Sequence, residues 1–150
     1  MKRVLYTLCQ LTWGLPQTLL GAIVFLVLRP EQRGWFHGAL VSTWPKVSSV
    51  SLGLFVFVAD SIVSSDETSL SDPKRPLLRQ VIAHEYGHTI QSLILGPLYL
   101  PLIGIPSVLW ANLPACRRRR KSKGRSYYRF YTERFANYLS KRLMDLEVPK

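Results

Sequence analysis

Two long uncharged stretches dominate the pattern of hydrophobic and polar positions along the chain. The first runs from residue 4 to residue 28, so 25 consecutive residues carry no charge. A helix needs roughly 20 apolar residues to cross the hydrocarbon core of a bilayer. No small-x-small cleavage site follows this stretch, which disfavours a cleaved signal peptide. We therefore predict that residues 1–30 form an uncleaved membrane segment, either one helix or a hairpin that turns at Gly14 and Pro16.

The second uncharged stretch, residues 92–115, is interrupted by prolines. It contains Pro97, Pro101, Pro106 and Pro114. A straight helix would not readily hold them, because proline lacks the N–H group that a helix interior needs. Two interpretations remain open: a buried hydrophobic loop, and a re-entrant or interfacial membrane segment. Both disfavour a single clean span.

In the remaining residues, the spacing of apolar side chains is that of short strands and of amphipathic helices. Alternating, β-branched and aromatic residues predict strands at His37–Trp44 and Ser49–Ala59. The polar residues 60–76 predict a loop. Apolar residues three and four apart predict a helix over residues 77–95, which a proline begins and Gly96-Pro97 ends. The same spacing predicts a second helix over Tyr127–Leu146, so the fold class is α+β.

Charge is distributed unevenly over a chain whose 150 residues have room for one domain. The net charge is +11, and the segment from Cys116 onward contains twelve Lys or Arg residues but only three acidic residues. A basic run beside apolar segments indicates anionic lipid headgroups rather than nucleic acid, for which no recognition motif is present. The predicted lipid-surface residues are Arg117, Arg118, Arg119, Arg120 and Lys121. Two cysteines, Cys9 and Cys116, do not make a disulfide framework or a Cys-x-x-Cys zinc site.

The run His-Glu-Tyr-Gly-His at residues 84–88 carries the clearest chemical signal. On the predicted helix, His84 and His88 lie four residues apart and project from one face, which is the geometry that two zinc ligands need. Glu85 follows the first ligand, where it can take a proton from a zinc-bound water and pass it to a leaving group. Gly87 removes a side chain where another element could approach closely. The run therefore predicts a site for one zinc ion.

A third protein ligand is expected downstream, because catalytic zinc usually has three. No histidine follows His88, and the acids that follow it are Glu133, Asp145 and Glu147. The last two lie near the chain end, whereas Glu133 falls inside the second predicted helix. Glu133 is therefore the candidate third ligand, and the alternative is a solvated glutamate paired with a neighbouring arginine.

Together these residues resemble the gluzincin metallopeptidases, in which His-Glu-x-x-His is completed by a glutamate on a later helix. The run from Glu133 to Asn137, Glu-Arg-Phe-Ala-Asn, looks like the Glu-x-x-Ala-Asp element of membrane-bound gluzincins such as the CAAX-prenyl and heat-shock membrane proteases. The resemblance implies that His84, His88 and Glu133 bind zinc and that Glu85 is the general base. Asn137 stands where that family has an aspartate that supports a ligand histidine. Its uncharged oxygen would raise the basicity of the ligand less.

The resemblance also implies a minimal zincin-like domain over residues 31–150, with a short sheet, an active-site helix and a glutamate helix. Residues 92–115 would be an insertion in this domain. The chain is similar as well to a group of small uncharacterised bacterial membrane proteins with a HEYGHTIQS-type helix, a likeness that carries no activity. Gluzincins often use a tyrosine or histidine as oxyanion donor. The candidates are Tyr127, Tyr128, Tyr131 and Tyr138, and aromatic packing or interfacial anchoring is the alternative for each.

These observations predict a membrane-associated zinc metallopeptidase that acts on a peptide or protein substrate. Zinc–ligand bonds are about 2 Å long, so the three ligands must meet on one side of any bilayer. The basic run at residues 117–123 predicts, by the positive-inside rule, that the zinc site faces the cytoplasm. The alternative function is a non-catalytic, membrane-anchored zinc-binding or interaction module.

Overall fold

The computed structural model describes residues 2–63, 70–71, 73–124 and 126–144, and this part of the chain has an α+β fold, as predicted. The helices are α1 (Lys2–Thr12), α2 (Leu15–Leu28), α3 (Pro76–Leu95), α4 (Ile105–Asn112), α5 (Pro114–Ser122) and α6 (Tyr131–Met144). The strands are β1 (Arg33–Phe36), β2 (Ala39–Trp44), β3 (Val50–Leu52) and β4 (Phe55–Ala59).

The four strands form one mixed sheet in the order β1-β2-β4-β3. The central pair, β2 and β4, is parallel, and the two outer pairs are antiparallel. The prediction of one strand over Ser49–Ala59 is wrong, because this segment is a hairpin of β3 and β4. The hairpin turns at Gly53, whose φ of 60° is a left-handed conformation that glycine adopts without steric cost.

The first hairpin also begins earlier than the sequence pattern predicts. Strand β1 lies before the predicted strand His37–Trp44, and His37 belongs to the turn rather than to a strand. His37 and Gly38 have φ values of 49° and 102°. Two positive φ angles in a two-residue loop are typical of the hairpin turns whose twist matches that of the strands.

Helices cover both faces of the sheet. Side chains alternate along a strand, so Ser51 and its cross-strand neighbour Val56 share one face while Phe55 points to the other. Ser51 contacts Glu85 of α3, whereas the Phe55 ring lies 5.6 Å from the ring of Phe25 in α2. Every residue of β4 is buried between these two helices. One face of the sheet thus packs against α3, the helix that carries His84 and His88.

Helix α3 begins at Pro76 and ends at Leu95, which confirms the helix predicted over residues 77–95. Pro76 lies in its first turn, where the missing N–H has no helical partner to lose. Gly96 follows the last residue with a φ of 54°. Glycine reaches a positive φ without steric cost, which suits it to the residue that ends this helix.

The second uncharged stretch continues from α3 as a series of short helices, so the interpretation as a loop is wrong. A 3₁₀ helix (Gly96–Leu98) and a π-helical segment (Leu100–Gly104) are followed by α4 and α5. Each of the four prolines lies in the first turn of one of these segments. Proline costs no hydrogen bond there, because first-turn N–H groups have no partner within the helix.

The first uncharged stretch folds as two helices, α1 and α2, that are bent by 95° after Thr12. Among the described residues, no single helix has the length and apolar character to cross a membrane, and α1 and α2 meet those criteria only as a bent pair. Buried side chains tie this elbow to α3: Gln17 donates to the hydroxyl of Ser92 at 2.7 Å, and Ser92 donates to Gln10 at 3.0 Å.

The predicted helix over Tyr127–Leu146 is present as a 3₁₀ helix (Tyr127–Arg129) followed by α6. Residues 145–150 lie outside the described residues, together with the two acids at 145 and 147 that the sequence analysis set aside. The predicted loop over residues 60–76 begins with a 3₁₀ turn (Asp60–Ile62). Its residues 64–69 and 72 are also outside the described part.

Candidate metal centre

The three residues predicted as metal ligands lie together in the interior of the protein. His84 and His88 project from one face of α3, with ring centroids 5.0 Å apart. Glu133, in the first turn of α6, places Oε2 3.1 Å from Nε2 of His84 and 3.3 Å from Nε2 of His88. All three side chains are buried, and their ligand atoms lie within 4.8 Å of one another. This group could hold a metal ion.

Close packing of α3 against α6 brings the three candidate ligands together. A Cβ at Gly87 would overlap the carbonyl group of Ala136, so the two helices touch backbone to backbone at this position. The prediction that Gly87 permits the approach of another element is confirmed, and that element is α6. Two further bonds fix the contact: Ser140 donates to the carbonyl of Ala83 at 2.7 Å, and the amide of Gln91 donates to the α6 backbone at 2.8 Å.

Each histidine is oriented by an amide side chain on its outer nitrogen. Nδ1 of His84 lies 2.6 Å from Oδ1 of Asn137, and Nδ1 of His88 lies 2.7 Å from Oε1 of Gln91. An amide oxygen only accepts, so the hydrogen-bond network places a proton on Nδ1 in both rings, and a ring that is protonated at Nε2 as well donates to Glu133. The two Nε2 atoms then face Glu133, and support of this kind is usual for ligand histidines.

Asn137 contacts His84 as the gluzincin resemblance implied, but the sequence analysis missed Gln91. A signal was available in the sequence, because Gln91 follows His88 by three residues. Residues three apart lie on the same face of a helix, where an amide can reach the outer nitrogen of the ring. Because Gln91 also donates to the carbonyl of Thr132, it links one ligand histidine to the helix of Glu133.

Hydroxyl groups hold the carboxylate of Glu133 from its other side. Thr132 donates to Oε1 of Glu133 at 3.1 Å, and Ser107 of α4 donates to the Thr132 hydroxyl at 2.8 Å. Burial by itself raises the pKa of Glu133, but hydrogen bonds from His84 and His88 outweigh burial and hold the pKa well below its usual range. The side chain is 1% exposed, which excludes the alternative of a solvated surface glutamate.

Glu85 is buried on the sheet side of α3. Its Oε2 accepts a hydrogen bond of 3.1 Å from the hydroxyl of Ser51 in β3. Burial raises the pKa of Glu85, and the lowering effects of His84, His88 and the Ser51 hydrogen bond do not cancel this increase. A carboxylate whose pKa is raised is a stronger base, which is what a general base requires.

The tyrosines predicted as oxyanion donors occupy different surroundings. The Tyr128 ring meets the His84 ring edge to face at 5.2 Å. Burial raises the pKa of Tyr127, and the nearby charges of Glu133 and Glu85 raise it further. The hydroxyl of Tyr131, in contrast, donates to the carbonyl of Leu102 at 2.7 Å. The fourth candidate, Tyr138, is 57% exposed.

Tyr99 is a further tyrosine at the centre, and the sequence analysis missed it. It is buried, and its hydroxyl donates to the carbonyl of Ser51 at 3.4 Å. Burial raises the pKa of Tyr99, and the charge of Glu85 raises it further, so the hydroxyl remains a donor near the candidate base. No local sequence signal marks this residue, because its place depends on how the second uncharged stretch folds back over β3.

The five basic residues predicted to face lipid lie on α5, and one of them differs from the others. Arg117, Arg118, Arg119 and Lys121 are exposed. The guanidinium of Arg120 instead stacks over the rings of Trp110 and Tyr127, 5.1 and 5.5 Å from their centroids. It also donates to the carbonyl of Trp110. Arg120 therefore joins α5 to α4 and to the segment that leads into α6.

No family model, no curated protein and no solved structure matches this chain.

Proposed function

We propose that this chain is a membrane-associated, zinc-dependent metallopeptidase of the gluzincin type. One observation carries the proposal: His84, His88 and Glu133 converge on one point, and Glu85 directly follows the first of them. Two imidazoles and one carboxylate are a common ligand set of catalytic zinc in peptidases. The proposal includes a membrane segment at residues 1–30, a zinc domain at residues 31–150, and a centre that faces the cytoplasm.

The residues present fit a zinc ion. In both histidines, Nδ1 is hydrogen-bonded to an amide oxygen and Nε2 faces the Glu133 carboxylate. The two Nε2 atoms and one carboxylate oxygen of Glu133 therefore lie around a common point. Hydrogen bonds to the outer nitrogens raise the basicity of ligand histidines. A zinc ion held by these atoms supplies a Lewis acid, which acidifies water and polarises a peptide carbonyl.

The other polar residues have distinct roles in this proposal. Glu85 takes the proton of the attacking water and delivers it to the leaving amine, and burial favours this because it raises the pKa of the carboxyl. Ser51 fixes the position of the Glu85 carboxylate through its hydroxyl. Tyr99, Tyr127 and Tyr128 are the candidates to donate a hydrogen bond to the developing oxyanion.

Glu85→Gln tests the mechanism without removing a metal ligand. In the purified full chain, zinc measured by mass spectrometry should stay at one ion per chain. Hydrolysis of a quenched-fluorescent peptide library should fall by about 10²–10⁴-fold, the usual contribution of a general base. Glu31→Gln, a change at an exposed glutamate, serves as the control. Retained hydrolysis in Glu85→Gln would contradict the mechanism.

Glu133→Ala tests the centre itself. This variant should lose zinc, because two imidazoles alone leave the ion without its third protein ligand. Zinc content that does not respond to Glu133→Ala would contradict the proposed ligand set. The comparison with Glu85→Gln separates metal binding from proton transfer.

A non-catalytic zinc module is the second candidate, and the burial of the centre favours it. His84, Glu85, His88 and Glu133 are each between 1% and 6% exposed, and structural zinc sites are closed in this way. In that case removal of zinc with a chelator should unfold the chain, and neither wild type nor Glu85→Gln should hydrolyse the peptide library.

A further inference from the structure

Large apolar side chains are exposed mainly in two parts of the protein. Of 24 such side chains in the described residues, eleven lie within residues 4–27 and seven within residues 94–113. Single exposed apolar residues are normal on a protein surface, but such a concentration marks an interaction surface. These 18 side chains are referred to below as the apolar face.

The two parts of the apolar face meet at the elbow between α1 and α2. A Cβ at Gly96 would overlap the indole of Trp13, so the bend between α1 and α2 packs directly on the second uncharged stretch, residues 92–115. Trp13 is itself 55% exposed, and Leu98, two residues beyond Gly96, is 59% exposed. The apolar face is therefore continuous across this contact.

The second apolar stretch has an outer and an inner side. Leu98, Leu102, Ile105 and Leu109 are exposed and follow one another at spacings of four, three and four, which is one face of a helical segment. On the inner side, Tyr99 donates to β3 and Ser107 donates to the residue beside Glu133. The part of the apolar face within residues 94–113 thus lies on the outer side of the segment that covers the metal centre.

The charge at the end of this stretch identifies its partner. Helix α5 follows directly, with the sequence Pro-Ala-Cys-Arg-Arg-Arg-Arg-Lys-Ser, and four of its five basic side chains are exposed. Exposed arginines beside an apolar face match the two layers of a membrane, with phosphate headgroups next to acyl chains. We infer that the apolar face and α5 together form a docking surface for an anionic lipid bilayer. This inference rests on the membrane association in the proposed function, which it deepens by naming the surface and the lipid charge, and it does not depend on peptidase activity.

Competition between two vesicle populations tests the charge requirement. The full chain, diluted from detergent, is offered phosphatidylcholine vesicles and vesicles that also contain phosphatidylglycerol, and the protein recovered with each is measured. Wild type should prefer the anionic vesicles at least about a hundredfold. The triple variant Arg117→Gln, Arg118→Gln, Lys121→Gln should lose this preference, on the order of a hundredfold for three charges. The control triple Lys46→Gln, Lys141→Gln, Arg142→Gln removes three exposed charges elsewhere and should keep it.

Three results would overturn the inference: no preference in wild type, an equal loss in both triple variants, or a soluble oligomer that binds neither vesicle. The last result would assign the apolar face to a second copy of the chain. Every chain in this test, the reference included, also carries Glu85→Gln, so wild type here means wild type at all other positions. Circular dichroism confirms that each chain is folded. The result is therefore independent of peptide hydrolysis, and failure of the peptidase proposal would leave it unchanged.

A depth measurement tests the apolar part of the surface separately. With Cys9 and Cys116 replaced by serine, an environment-sensitive dye is attached to Leu102→Cys on the apolar face or to Tyr138→Cys on the exposed side of α6. Lipids with a nitroxide on the acyl chain should quench the dye at residue 102 several-fold more than the dye at residue 138. Equal quenching at the two positions would show that the apolar face does not contact acyl chains.

Discussion

Gly87 of α3 lies against the backbone of Ala136 in α6, so closely that a Cβ at residue 87 would overlap the Ala136 carbonyl group. This contact sets the distance between the helix that carries His84 and His88 and the helix that carries Glu133. The geometry of the centre therefore depends on a residue that itself has no ligand atom.

Gly87→Ala should weaken both the fold and the metal centre. The added methyl group pushes α6 away from α3, and overpacking of this kind costs about 1–3 kcal/mol. Urea unfolding should show that loss, and a competing zinc chelator should show weaker zinc binding because Glu133 moves with α6. Gly104→Ala is the matched control, since a Cβ there meets its nearest neighbour, Leu100, at an ordinary 3.4 Å. Similar losses in the two variants would show that the contact with α6 is unimportant.

Local patterns in the sequence predicted the parts of the fold that local physics determines. The spacing of His84 and His88 placed both rings on one face of α3, and Gly96 marked the end of that helix. Glu133 could be selected because few acids follow the histidines, although its approach to them depends on tertiary packing. The α+β class followed from the same periodicities.

Features set by long-range packing could not be predicted in this way. The segment Ser49–Ala59 has the apolar pattern of one buried strand, and Gly53 was too weak a signal to indicate its hairpin. The prolines of the second apolar stretch excluded one long helix but did not show that each would start a new short one. Tyr99 reaches the centre because that series of helices folds back over β3.

The amide side chains that hold the histidines should contribute to zinc affinity. Asn137→Ala and Gln91→Ala each leave one Nδ1 without its acceptor, and loss of such a partner typically weakens metal binding about 10–100-fold. Asn137→Asp should bind zinc more tightly than wild type, because a carboxylate raises the basicity of His84 further. Competition with a chromophoric chelator measures all three affinities.

Asn112→Ala is the control for these changes. The amide of Asn112 donates to the carbonyl of Val108 in α4, and its side chain is exposed. Zinc affinity should be unchanged in this variant. If Asn137→Ala and Gln91→Ala also leave zinc affinity unchanged, the two amides do not orient the ligands.

Metal-free and zinc-loaded protein should respond in opposite directions as the pH rises above about 6.5. Burial lowers the pKa of His88, but the hydrogen bond and charge of Glu133 outweigh burial, so the folded pKa lies above the unfolded value of about 6.5. Protonated His88 then stabilises the metal-free fold fully below about pH 6.5, and this contribution is lost as pH rises through the folded pKa. Zinc binding instead needs deprotonated ligands and strengthens as pH rises.

At acidic pH, the metal-free fold should also lose the stability that ionised Glu133 contributes. The lowered pKa of Glu133 gives a contribution that is complete above its unfolded value of about 4.3 and is lost as pH falls toward the folded pKa. Urea unfolding from about pH 2 to pH 9, with and without a chelator, measures both trends. His88→Gln should reduce the alkaline decline of the metal-free protein, and an unchanged decline in that variant would show that His88 is not its source.

Arg120→Ala should destabilise the protein, whereas Arg118→Ala should not. The guanidinium of Arg120 stacks on Trp110 and Tyr127 and donates to a carbonyl near the end of α4, so its loss removes two ring contacts and a helix cap. Such contacts together contribute about 1–2 kcal/mol at a partly buried position. Thermal unfolding should show this difference, while binding to anionic vesicles should depend more on Arg118, which is exposed. Equal stability of the two variants would mean that Arg120 acts as another surface charge, and the basic run would then form a single lipid-facing group of five.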